Sequence, residues 1–245
     1  MIHTYHSIQV MAGTARETND AVVIEDRFEL LLNDQPVTEM VASRDQLREL
    51  GAGYLVSEGI LRCVDKVKVE GDRIFVWSDT GCDLRWTKRE VGSSGGLSFI
   101  SHPPRTVSDI RLSPDDVIAV TREIETDLWK KTGGVHCSVL FCAGKLLAKS
   151  SDVGRHNTVD KLVGYAVLNG IDLSRCVIGC TGRQPAGMVR KSAHAGIPVI
   201  ISRAASTDKG IATAESAGIT LIGFSRGDRF TVYTHPERIS GIRSS

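Results

Sequence analysis

The chain has 245 residues, with a formal net charge of +1, 41% hydrophobic residues and 24% charged residues. That length suits one large domain or two small ones around a sizeable core, and the near-neutral balance argues against a general nucleic-acid binder, which would carry a strong basic excess. No apolar run approaches the roughly 20 residues of a membrane helix, no charged-then-apolar leader opens the chain, and six cysteines in a chain this long do not read as a disulfide framework, so a cytoplasmic protein is expected.

Residues 1–19 show no clear period. Val22-Val23-Ile24 and Phe28–Leu32 read as strands, closed by the turn residues Asn33-Asp34. Ser43 followed by Gln46 has the capping-box spacing, and the helix it predicts carries Leu47, Leu50, Tyr54 and Leu55 on one face and ends at Gly59. Short strands are predicted at Val67–Val69 and Ile74–Trp77. Residues 79–105 are irregular and hold Cys82 and the loop Gly92-Ser93-Ser94-Gly95-Gly96. Pro103-Pro104 suggests a boundary. The expected organisation is a small β-rich portion over residues 1–105, with one helix and a Gly/Ser loop, then an α/β domain over residues 106–245.

Ser113-Pro114-Asp115-Asp116 is a strong helix start: a cap, a proline in the first turn, and acids against the dipole. Val117, Val120, Ile124 and Leu128 give its buried stripe, and Lys130-Lys131 and Gly133 its end. Residues 134–142 and 145–149 read as strands around Ala143-Gly144. The densest polar stretch of the chain follows, from Ser150 to Lys161. Val153-Gly154 reads as a turn, Asn157 can cap the next helix, and Val159, Leu162, Val163, Ala166 and Val167 mark one helical face. Asp152, Arg155 and His156 are thereby expected on a loop at a helix N-terminus, where free N–H groups and a positive dipole suit an anion. A network that merely holds loop to helix explains the same residues.

Beyond this point strands at 176–180, 198–202, 220–224 and 230–233 alternate with helices at 186–195 and 208–217. Such alternation predicts an α/β layer with parallel pairing, whose ligands sit beyond the carboxyl ends of the strands. That rule points to Thr181–Gln184, Arg203–Thr207 and Ser225–Arg229. Arg155, Arg183, Lys191, Arg203, Arg226 and Arg229 fall in these loops or at helix starts, which suits a phosphate-bearing ligand. No P-loop or dinucleotide fingerprint is present. His136-Cys137, Cys142, Cys176 and Cys180 are soft ligand types, but a zinc deaminase needs a Glu two residues after its His, and Ser138 stands there. These cysteines are expected to be small buried apolar groups, with no metal bound. Cys137 as a nucleophile beside His136 is disfavoured, because neighbours on a strand face opposite ways.

The chain resembles the formate dehydrogenase accessory sulfurtransferases, the FdhD proteins, from about residue 22 to the end. Gly53-Tyr54-Leu55-Val56-Ser57-Glu58-Gly59-Ile60 resembles the family's G-[FY]-L-x-x-E-G-I, and Thr132-Gly133-Gly134-Val135-His136 its T-G-G-x-H. Asp152 to Lys161 follows D-V-G-R-H-N-A-V-D-K almost residue for residue, and Ala195-Gly196-Ile197-Pro198 and Tyr233–Arg238 complete the set. The resemblance implies a cytidine deaminase-like α/β domain behind a smaller β-rich portion, and a homodimer. It implies binding of the molybdenum cofactor in its bis-guanine-dinucleotide form, with guanine nucleotide as an analogue, at Phe224, Ser225, Arg226, Gly227, Asp228 and Arg229. Arg183, Asp152, Arg155 and His156 join that set from the anion-site reading, and Asp152, Arg155, His156 and Asp160 either order the site or touch the ligand. The implied role is to take sulfur from a cysteine desulfurase as a persulfide and pass it to the molybdenum centre of formate dehydrogenase, with neither nucleic acid nor membrane involved. The chain departs from the family at Gly92–Gly96, where members carry a cysteine loop and Ser94 stands in the reactive position; a hydroxyl cannot hold a persulfide. Cys82 is the nearest cysteine and the candidate persulfide carrier; a chaperone that binds the cofactor without transferring sulfur is the alternative. Gln184-Pro185 also departs, where Ser-type residues are usual.

Overall fold

The computed structural model describes residues 1–79 and 103–242, with the backbone of 89–91 and 97–99. Cys82 and Gly92–Gly96 lie outside the described residues. The chain begins with a long antiparallel hairpin, β1 (Ile2–Met11) and β2 (Thr14–Val23), where no regular element was expected. Most of both strands is exposed on both faces, so neither face demands apolar residues and the period-2 signal never arises. β3 (Asp26–Leu32) and β4 (Gln35–Ala42) follow, joined by Asn33 and Asp34 at φ of 47° and 63°, the double left-handed geometry of a tight hairpin turn. After α1 (Leu47–Ser57) come β5 (Lys66–Glu70) and β6 (Arg73–Trp77), and the four strands form a sheet in the order β4-β3-β6-β5. The short strands β7 (Arg89–Val91) and β8 (Leu97–Phe99) pair antiparallel.

The second half is built on a six-stranded sheet in the order β10-β9-β11-β12-β13-β14. Its strands are β9 (His136–Cys142), β10 (Lys145–Asp152), β11 (Cys176–Cys180), β12 (Val199–Ser202), β13 (Thr220–Arg226) and β14 (Arg229–Val232). β11, β12 and β13 run parallel, and β9 and β14 run against them. Since β10 opposes β9, the carboxyl ends of β10, β11, β12 and β13 and the start of β9 share one edge. The helices are α2 (Pro114–Glu123), α3 (Asp127–Thr132), α4 (Arg155–Leu168), α5 (Ala186–His194) and α6 (Asp208–Ala217). The result is the mixed α/β class expected from the alternation.

Two local expectations change. The stripe from Val117 to Leu128 belongs to two helices, because Thr126 caps α3 through its hydroxyl and restarts the chain after α2. The capping box of Ser43 and Gln46 does not form; Gln46 precedes α1 in a left-handed conformation without a side-chain cap, and the Ser43 N–H donates to Asp152 instead. By contrast, the capping box of Ser113 with Asp116 is present in full.

One apolar core joins the two sheets, running from Leu30, Leu50 and Leu55 to Leu140, Leu162 and Ile178. Its seam is the crossing of α1 over α4, and two glycines set its closeness. A Cβ on Gly53 would lie 1.7 Å from the Asp160 carbonyl oxygen, and one on Gly164 would lie 1.9 Å from that of Glu49. Only hydrogen fits at either position, so the helix backbones touch. A second apolar cluster, with Val117, Val120, Val139, Ile201 and Ile222, fills the space between α2 and the other face of the six-stranded sheet.

Candidate functional site

The polar stretch 150–161 divides at the first turn of α4. Asp152 ends β10 with no exposed surface, and its carboxylate meets the Lys161 ammonium at 2.6 Å, likewise fully buried. It also accepts from the backbone N–H of Ser43 at 3.0 Å and of Gly154 at 2.9 Å, and from the Asn157 amide at 2.7 Å. Lys161 donates in turn to the Ser43 carbonyl at 3.3 Å. These bonds weld the end of β4 to the start of α4. Asp152 is therefore corrected from a ligand contact to a buried strut, since no ligand can reach it. Asn157 is corrected too: the N-cap is Gly154, and the Asn157 amide is spent on Asp152 and on the Val41 carbonyl.

A second buried knot lies one turn further along. Lys191 of α5 sits 2.6 Å from Glu58 and 2.9 Å from Asp160, and Ser57 donates to Asp160 at 2.5 Å. Burial alone would lower the Lys191 pKa, but Asp160 and Glu58 together hold it above its ordinary value, so the ammonium stays charged. Lys191 and Asp160 thus leave the list of ligand candidates. Glu58 belongs to the Gly53–Ile60 motif and Asp160 to the Asp152–Lys161 motif, so the two most distinctive stretches of the sequence meet through one lysine that joins α1, α4 and α5. Sequence separation hid that pairing; acids in two separate motifs with a lysine at a third helix were its only signal.

Arg155 and His156 face the other way, onto the strand-end edge. The Arg155 stem packs over Gly182, and beside it stand Arg183 and His136. His136 Nδ1 lies 3.3 Å from the Thr181 hydroxyl, and Thr181 also accepts from the Cys137 N–H at 3.0 Å. The imidazoles are driven neutral. Burial first, then Lys191, Arg155 and His136, push His156 down to about 3. Burial and then Arg155 lower His136, and Arg155 itself is lowered by burial and by Arg183. The edge therefore holds cations that repel one another, with neutral rings between them. Of the helices that start here, α4 at Gly154 and α5 at Pro185 have no side-chain cap, as is true of α1, while α6 is capped by Thr207. Uncapped helix starts offer N–H donors and a positive dipole to an anion.

Backbone bonds zip the remaining loops along the same edge. Arg203 N–H donates to the Cys180 carbonyl at 3.0 Å, Gln184 N–H to Ala205 at 3.0 Å and Phe224 N–H to Ala204 at 3.0 Å. Gln184 itself is buried, its amide on the Gly182 carbonyl at 2.8 Å and the Cys180 sulfur at 3.0 Å, so it shapes the loop from within. Arg203 is neutralised by Glu125, and Arg226 Nε donates to the Arg203 carbonyl at 2.9 Å. Phe224 is exposed with φ of 51°, and Arg226, Gly227, Asp228 and Arg229 are exposed at the β13–β14 turn. Ser225 is the exception in this segment, buried with its hydroxyl 2.5 Å from that of Thr121 and thus turned away from the edge.

The cysteines of the sheet are small core groups. Cys137, Cys176 and Cys180 are buried, and burial pushes the Cys180 thiol up to about 12. Cys137 faces Thr126 and Ser151 across the sheet from His136, as strand alternation requires. Among the described residues no group of three or more His, Cys, Asp or Glu could hold a metal ion, and no helix is long and apolar enough to cross a membrane. A cavity of about 270 Å³ opens at the opposite end of the sheet, between Leu112, Val120, Phe141 and Arg175, and contains none of the expected site residues.

By fold and charge the chain is an α/β protein with a cationic strand-end edge suited to an anion. Comparison with known proteins gives it a family. The model of the FdhD/NarQ family matches residues 23–240, and the chain belongs to that family. It is similar to the sulfur carrier protein FdhD of Bacillus subtilis, 34% identical with 93% of each chain covered. It is also similar to protein FdhD of Methanocaldococcus jannaschii, 31% identical with 89% of this chain and 90% of that one covered. A crystal structure of a putative formate dehydrogenase accessory protein from Desulfotalea psychrophila superposes with a TM-score of 0.82, at 29% identity over 97% of this chain and 99% of that one.

Proposed function

We propose that this protein binds the molybdenum cofactor, in its bis-guanine-dinucleotide form, along the strand-end edge and delivers sulfur to it on behalf of formate dehydrogenase. The observation that carries the reading is the pairing of two uncapped helix starts with Arg155 and Arg183 at one edge. The cofactor is cargo here, and its phosphates are the part this edge suits. Arg155 and Arg183 would meet one phosphate group, and Arg226 and Arg229 another toward the guanine end. His156 and His136, being neutral, would donate or accept single hydrogen bonds without adding charge. The relatives' names as sulfur carrier and formate dehydrogenase accessory proteins support the role. Guanosine diphosphate should bind, and Arg226→Ala or Arg229→Ala should weaken it; unchanged affinity in both variants would remove the guanine end from that turn.

Sulfur would arrive from a cysteine desulfurase as a persulfide on Cys82. A second reading, a cofactor chaperone without sulfur transfer, is favoured by Ser94 in the usual cysteine position and by the burial of Cys137 and Cys180 at the edge. Mass spectrometry after incubation with a cysteine desulfurase and cysteine separates the two. One added sulfur on Cys82, lost in Cys82→Ser, supports transfer; nucleotide binding with no adduct supports the chaperone.

A further inference from the structure

At the end of the sheet away from the cationic edge, Cys142 closes β9 and Cys176 opens β11, and the two are direct register partners. In an antiparallel ladder, hydrogen-bonded and non-hydrogen-bonded pairs alternate, and side chains stand closer in the second kind. The Thr181 N–H donates to the Cys137 carbonyl, so 137 and 181 form a hydrogen-bonded pair. Five steps along the ladder, Cys142 and Cys176 fall in a non-hydrogen-bonded pair, with Cα atoms expected about 4.5 Å apart. That spacing lies at the near end of the range a disulfide spans. The Cys142 thiol is one of the neighbours that raise the Cys176 pKa, and the Cys176 thiol reaches the Asp172 carbonyl at 3.4 Å. Cys142 is half-buried and reachable from solvent, while Cys176 is buried.

We propose that Cys142 and Cys176 form a redox modification site, closing to an intramolecular cross-strand disulfide by exchange with a low-molecular-weight disulfide such as oxidised glutathione. The Cys142 thiolate attacks one glutathione sulfur, forming a mixed disulfide and releasing one glutathione thiolate. The Cys176 thiolate then attacks Cys142 Sγ, forming the protein disulfide and releasing the second. Two protein thiols are oxidised, one external disulfide is reduced to two thiols, and the protons lost by the cysteines go to the released thiolates. The second step is internal, so the burial of Cys176 does not block it. It is the slow step: burial and the neighbouring Cys142 thiol push the Cys176 thiol up to about 12, and only its thiolate attacks. Closure should therefore speed up as pH rises through the alkaline range. The bond would tie the ends of β9 and β11 at residues that are already register partners.

The test is full-length protein treated with oxidised glutathione, then unfolded, alkylated and mapped by mass spectrometry. The expected product is a linked peptide pair through Cys142 and Cys176, absent from Cys142→Ala and from Cys176→Ala. In Cys176→Ala the glutathione should stay on Cys142, trapping the first step. The oxidised wild type should unfold roughly 5–10 °C higher than the reduced form, as closing a loop of this length predicts. A stable glutathione adduct on wild-type Cys142, no reaction at Cys142, or a link through Cys63 or Cys82 would overturn the proposal.

Discussion

The two sides of the first turn of α4 use the same residue types for opposite ends. On the inner side Asp152, Lys161, Asp160 and Lys191 are buried and paired at 2.6 and 2.9 Å, and no ligand reaches them. On the outer side Arg155 and His156 join Arg183 and His136 at a surface edge where positive charges crowd. The inner charges hold the helix start in place; the outer ones inherit that placement. A motif dense in charge is thus part scaffold and part site, and burial, not residue type, separates the two.

That division predicts unequal responses to mutation. Lys161→Met would leave the Asp152 carboxylate buried without its cation, and should cost about 3–5 kcal/mol by chemical denaturation. A loss near zero would mean that the pair does not hold β4 to α4. At the seam behind it, Gly164→Ala sets a Cβ against the Glu49 carbonyl, and about 3 kcal/mol should be lost as α1 and α4 are pushed apart. The pH response sharpens the contrast. The folded pKa of His156, at about 3, lies below the unfolded value of 6.5, so between these limits the unfolded chain binds more protons. Its contribution is complete above about 6.5 and is lost as pH falls toward about 3, by up to about 1.4 kcal/mol per pH unit. His136 and His194, also lowered by burial, act in the same direction. His156→Gln should flatten part of that slope in urea titrations at pH 4.5 to 6.5; an unchanged slope would place the ring in water. Smallest of all, Arg155→Ala should shift stability by less than about 1 kcal/mol, because the packing lost with its half-buried stem is offset by relief of repulsion in a crowded cationic edge.

The sequence made the strand-helix alternation, the parallel strands and the loops at their carboxyl ends readable, because each rests on a local period or cap. The helix start at Ser113-Pro114-Asp115-Asp116 was legible for that reason. The β1–β2 hairpin was not, since an exposed ribbon has no buried face to write a pattern. The fate of Asp152 was not either. Its partners, Ser43 and Lys161, come from both sides of it in the chain, and only the fold decides whether a carboxylate at a helix start meets solvent or a lysine. Lys191 misled for the same reason, reading as a ligand-facing cation while Glu58 and Asp160 enclose it.

The most direct test is calorimetric titration of guanosine diphosphate into the wild type, Arg155→Ala, Arg183→Ala and the double variant, each shown folded by its denaturation midpoint. The account predicts an affinity loss of about tenfold for each single variant, the size of one lost charge-assisted contact, with a shallower salt dependence in the double variant. Wild-type affinity in the folded double variant would contradict it, because the phosphates would then be held somewhere other than the start of α4.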